Sequence, residues 1–175
     1  MSLSPQKFRE IIFQALYSLD IGHADEEAIL ELMMGELSVT KKNVRLAQEK
    51  VEKIRHKLAE IDPMIASVST SYTFDRIQTV TKNILRLAVY ELLFEKDVPP
   101  KVVMAEAIRL SRKFSSPESA SFTNALLDHL YKASQGKHVD PKSLEEQGKE
   151  LLEHEKASSE EALKQHLNRE AADAD

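Results

Sequence analysis

The chain has no cysteine and no tryptophan, and only four of its 175 residues are glycine. Without cysteine there is no disulfide framework, no thiolate zinc site and no cysteine nucleophile, and a reducing compartment suits such a chain. No glycine-rich phosphate loop, dinucleotide fingerprint or GxSxG elbow occurs. Long apolar runs are missing as well. Residues 8–19 are broken by Arg9, Glu10 and Gln14 and read as neither a signal peptide nor a membrane span. The expectation is a cytoplasmic protein without membrane association. The six histidines lack the i,i+4 pairing of a helical zinc protease, and three of them (His138, His154, His166) lie near the end of the chain. No metal, no cofactor and no enzymatic activity are expected.

The hydrophobic share of 42% is enough for one ordinary core. The net charge of −5 is unevenly placed. Residues 136–175 hold six Lys/Arg and eleven Asp/Glu, whereas residues 1–135 carry 18 of each sign. The body is therefore neutral and can still present a local basic patch to an anionic partner.

No stretch alternates as a strand between hairpin turns, so the body reads as all-α. Helices are expected over residues 5–21, 25–34, 40–61, 63–69, 73–96 (with a break near 78–80), 101–114 and 117–134, about seven in all. Ser4–Pro5 and Ser116–Pro117 look like an N-cap followed by a first helical residue. Gly22, Gly35 and Gly136 each follow an apolar-periodic segment, where a helix ends on a left-handed residue. Phe8, Ile12, Ala15 and Leu19 form the buried stripe of the first helix, flanked by Ile11 and Leu16. The second offers Ala28, Ile29, Leu32 and Met33. The third has a seam of Val44, Ala47, Val51, Ile54, Leu58 and Ile61, and Asp62–Pro63 ends it. Beyond Gly136 the large apolar residues thin out to Leu144, Leu151, Leu152, Leu163 and Leu167. Such a segment is expected to stay outside the core, disordered or loosely helical. The division is a helical domain over residues 1–136 and an acidic, charged C-terminal tail over 137–175.

Candidate contact residues fall in three groups. Phe13 and Tyr17 lie roughly opposite the stripe of the first helix, with Arg9 one turn before Phe13. Either they form an exposed aromatic contact for protein or nucleic acid, or another helix covers that side and makes the first helix central. Seven cations from Lys41 to Lys57 spread around the third helix and read mostly as its solvated face. Arg109, Arg112 and Lys113 end a helix beside Phe114, where cations complement the helix dipole. With the backbone N–H groups of Ser115, Ser116 and the next helix start, they also suit phosphate oxygens. Phe114 and Phe122 would offer a base a stacking surface if exposed. Arg86 and Glu91, five apart in an apolar helix, read as buried ion-pair or backbone-bonding groups rather than catalysts.

The ordered series ILRLAVYEL, DVP, KVVMAEAIRLSRKF and SFTNALLD between residues 84 and 128, with REIIFQALYSLD over residues 9–20, resembles the NusB transcription antitermination family. The resemblance covers roughly residues 5–132. It implies an all-helical, NusB-like bundle and a protein that binds boxA-type RNA of ribosomal RNA leader transcripts together with NusE, a ribosomal protein, within an antiterminating RNA polymerase complex. It implies RNA contacts at Lys7, Arg9, Phe114, Glu118 and Phe122, and a NusE-facing surface at Tyr17 and the helix containing Thr81. Family N-termini often carry a dense arginine run. Here only Lys7 and Arg9 stand there, so weaker RNA binding, or compensation by Arg112 and Lys113, is expected. Thr81 stands where some members have a carboxylate. A NusB-like domain also begins an RNA cytosine methyltransferase family, but that chemistry needs a cysteine this chain lacks. The remaining alternative is a protein-interaction or homodimerisation module with weak or lost RNA binding.

Overall fold

The computed structural model describes residues 3–22, 28–29, 34–35, 39–69 and 72–172. They form α1 (Pro5–Asp20), α2 (Lys41–Val68), a 3-10 turn (Phe74–Arg76), α3 (Thr79–Phe94), α4 (Pro100–Phe114), α5 (Pro117–Ser134) and α6 (Lys142–Ala172), with no strand among the described residues. The helix expected over 25–34 falls largely outside the described residues; Ile29 within it is buried.

Local chemistry explains five of the helix ends. The hydroxyls of Ser4, Thr40 and Ser116 accept from the backbone N–H groups of Lys7, Asn43 and Ser119, each satisfying one otherwise unpaired donor. Gly22 and Gly136 adopt φ of 73° and 68°, the left-handed backbone that glycine takes without a Cβ penalty. Gly35 lies in a helical turn and does not share that backbone.

Packing is organised around α3. It touches α1, α2, α4 and α5, and Ile84, Leu85, Leu87, Ala88, Val89 and Tyr90 are all buried. A helix apolar on nearly all sides has no stable place except the centre. Its polar residues are paired. The Arg86 guanidinium reaches Asp62 at 2.7 Å and Asp20 at 3.0 Å. Asn83 donates to Asp20 at 2.9 Å. This cluster ties the end of α1 and the middle of α2 to α3.

Three expectations change. First, α2 does not stop at Pro63 but runs through it to Val68. Proline there removes one i→i−4 bond, to the Ala59 carbonyl, and both residues are exposed, so water can serve that carbonyl. Ile61 and Ile65, fully buried on either side, anchor the helix to the core across the defect. The expected helix over 63–69 is thus the end of α2. Second, the stripe of α1 is wider than predicted. Phe8 and Leu19 are only half-buried, whereas Ile11, Ile12, Phe13 and Leu16 are buried. Third, the segment beyond Gly136 does not stay outside the core. It forms α6, which packs on α5 and buries Leu144 and Leu151 in the main apolar cluster. Full burial of one leucine is worth about 1.5–3 kcal/mol, so two well-placed leucines hold the first turns. The far half of α6 is exposed, including Leu163 and Leu167.

Candidate nucleic-acid interface

Long side chains bridge the first half of α1 and the last half of α4. Arg109 donates to Glu10 at 2.6 Å and to the Gln6 carbonyl at 3.2 Å. Lys113 reaches the same Glu10 oxygen at 2.9 Å, and Lys7 reaches its other oxygen at 3.4 Å. Burial pushes the Glu10 carboxyl up, but the hydrogen bonds from Arg109, Lys113 and Lys7 outweigh it and hold the pKa down at about 2. Glu10 therefore stays charged and pins three cations in place.

The pairing continues inward. Arg109 also holds Glu106 at 3.0 Å. Glu106 lies 4.0 Å from Arg9, and Arg9 donates to Glu91 at 2.9 Å. Glu91 in turn accepts from Lys50 at 2.7 Å, and Lys50 also pairs with Glu95. One alternating series of charges thus runs from exposed Lys113 to the buried centre. Lys113 is 50% exposed at one end, and Glu91 is 2% exposed at the other.

An aromatic step lies beside the exposed end. The Phe114 ring sits 4.9 Å from Phe13, and Phe13 sits 6.1 Å from Tyr17. Lys113 Nζ lies 5.4 Å over the Phe114 ring, a cation–π distance. Phe114 and Tyr17 are half-buried, and Arg112 is exposed with no ion-pair partner among the described residues. At the start of α5, Glu118 is half-exposed, with one oxygen 3.6 Å from His154 of α6.

The expected site residues therefore divide. Lys7 and Lys113 meet at Glu10, and Phe114 lies against Lys113. Glu118 lies at the start of the next helix, and Arg112 is exposed about 200° around α4 from Phe114, on another side of that helix. Arg9 does not join them at the surface, because Glu91 and Glu106 take up its guanidinium. Phe122 offers no stacking surface. It is fully buried and meets Tyr72 edge-on at 5.3 Å. Phe13 is 2% exposed and so belongs to the covered reading of α1. Thr81 is equally buried, and its hydroxyl shares a 2.8 Å hydrogen bond with Ser119, locking α3 to α5. Of the partner-facing set, Tyr17 alone reaches the surface. Lys50 also leaves the solvated face expected of the α2 cations. Glu10 and Glu106, which organise the site, were missed. The Glu106/Arg109 spacing of three was the signal for one of them.

No helix among the described residues is long and apolar enough to cross a membrane. The described His, Asp and Glu residues include no group arranged to hold a metal ion.

This is an all-helical bundle in which cations meet an aromatic ring where α1 and α4 come together. Comparison with known proteins gives the family. A model described as the NusB family matches residues 6–132. The transcription antitermination protein NusB of a Geobacter species is 41% identical over 130 residues, spanning 70% of this chain and 90% of that protein. T. maritima NusB superposes with a TM-score of 0.66 at 32% identity, over 83% of this chain and 99% of that one. A chain from the crystal structure of antitermination factors NusB and NusE in complex with dsRNA matches with a TM-score of 0.63 at 27% identity, over 73% and 96% of the two chains. The chain belongs to the NusB family.

Proposed function

We propose that this protein is a non-catalytic transcription antitermination factor of the cytoplasm. It binds boxA-type RNA of ribosomal RNA leader transcripts together with NusE and promotes processive transcription by RNA polymerase. Family membership over residues 6–132 carries this reading. Lys7 and Lys113 beside Phe114 support it, since cations beside an aromatic ring suit a single-stranded RNA backbone and its bases, and Arg112 is an exposed cation one residue along from Lys113. Arg9 and Phe122 act from inside, holding that cluster in shape, and Glu118 lies at the start of the next helix. Tyr17 presents the NusE-facing surface, with Phe13 and Thr81 supporting it from the interior. Residues 1–136 are the binding domain, and residues 137–175 are an appendage docked on it.

Burial of Arg9 favours one second reading, an interaction or homodimerisation module that has lost RNA binding. Fluorescence anisotropy separates the two. Replacing Arg112 and Lys113 together by alanine should weaken binding of labelled boxA-type RNA and make the slope of log K against log salt shallower by about 0.7 per lost phosphate contact. An unchanged affinity and slope would favour the second reading.

A further inference from the structure

Residues beyond the family match line a cleft against the candidate RNA face. Gln78, Phe114 and Ser116 form one side, and His154, Ser158 and Ser159 of α6 form the other. The cleft holds about 330 Å³, within the range of about 300–1,000 Å³ typical of small-molecule sites.

The chemistry of the α6 side decides what it does. Although the segment as a whole is acidic, its cleft-facing residues are mostly neutral and hydrogen-bonding. Glu155 is the one α6 carboxylate on the cleft, and it is engaged by the Tyr72 hydroxyl, which donates to it. Among the described residues no α6 carboxylate pairs with Lys7, Arg112 or Lys113; Lys7 and Lys113 pair with Glu10 instead. A segment competing with RNA would place its carboxylates on those cations. The buried Leu144 and Leu151 fix the start of α6 to the body, so this side is a built wall and not a loose strap.

We propose that α6 supplies the second wall of the RNA site, so that one nucleotide of a single-stranded RNA enters the cleft. Its base packs on the Phe114 ring, and its polar edges meet Gln78, Ser158 and His154. This rests on the RNA-binding reading above. The wall lies outside residues 6–132, the span the family model matches, and sets a nucleotide preference of its own.

The test uses the full chain and fluorescein-labelled single-stranded boxA-type RNA, with NusE present. Ser158→Glu adds a charge inside the cleft, and Gln165→Glu adds the same charge elsewhere on α6; both positions are exposed. Ser158→Glu should weaken binding at least about fivefold, the factor equal to about 1 kcal/mol for a unit charge 4 Å away in water. Gln165→Glu should change it less than about twofold. Equal effects of the two variants, or none from either, overturn the wall while leaving RNA binding intact. Leu151→Ala, checked for retained helicity, loosens the wall and should also weaken binding. Tighter binding by Leu151→Ala would make α6 a shield and overturn the proposal. No RNA binding by the unaltered chain overturns both this inference and the reading it rests on.

Discussion

At Glu10, one carboxylate gathers Arg109, Lys113 and Lys7, and its pKa falls from 4.5 to about 2. A depressed carboxylate pKa stabilises the fold above the unfolded value, and the contribution is lost as pH falls toward the folded value. Glu10→Gln should therefore lower the melting temperature at neutral pH. The gap to the unaltered chain should close between pH 4.5 and about 2. A gap that stays constant across acid titration would contradict the assignment. Glu91 is a sharper case, because it is buried under Arg9 and Lys50. Removing one member of a buried pair leaves an uncompensated charge and costs about 3–5 kcal/mol. Chemical denaturation of Glu91→Ala should show a loss of that size; one below about 1 kcal/mol would mean the pair is effectively solvated. In the sequence Glu91 reads as buried in an ion pair or bonded to backbone; the structure gives the ion pair, and its partner was not legible, since Arg9 is 82 positions away. For the same reason Arg9 read as a surface cation. Spacing along one helix reveals neighbours three or four residues apart, not the helix that folds over them.

At the scale of elements, periodicity served well where one face dominates. The seam of α2, the N-caps at Ser4 and Ser116 and the break before α3 near Gln78 were all legible. Two elements were not. Proline is a local veto on a helix, and the tertiary burial of Ile61 and Ile65 overrode it. Pro63→Ala should restore the missing backbone bond and raise stability by up to about 3 kcal/mol, the difference in interior helix propensity. A destabilised variant in urea titration would show that proline shapes α2 in another way. The second element is α6. Its apolar residues are too sparse to announce a core contact, yet Leu144 and Leu151, seven apart, fall on one face and dock on a surface that only the folded body provides. The connection into α6 passes through Gly136 at φ 68°. Gly136→Ala should cost about 1 kcal/mol from backbone strain, although nothing blocks the added Cβ. A thermal melt indistinguishable from the unaltered chain would contradict that.

For the whole molecule, an ordered set of short motifs revealed the family because those motifs are the central helix α3 and its two successors, the part of the fold most constrained by packing. The site was only partly legible. Lys113 and Phe114 stand out as a cation–aromatic pair in the sequence. Phe13, Thr81 and Phe122 look equally available there and are covered only in three dimensions. The molecule that results is neutral in its body, with Lys7, Arg109 and Lys113 gathered on Glu10 between α1 and α4 and a hydrogen-bonding side of α6 across the cleft from Phe114. Its RNA affinity should accordingly fall with salt, and these local cations rather than net charge should set the slope.

The most direct test is anisotropy of a labelled boxA-type RNA against a scrambled RNA of equal length, with and without NusE, at a fixed salt concentration. The account predicts that NusE tightens binding and that the boxA-type sequence is preferred in its presence. Equal binding of the two RNAs with NusE bound would contradict it, leaving the fold in place with another partner to serve.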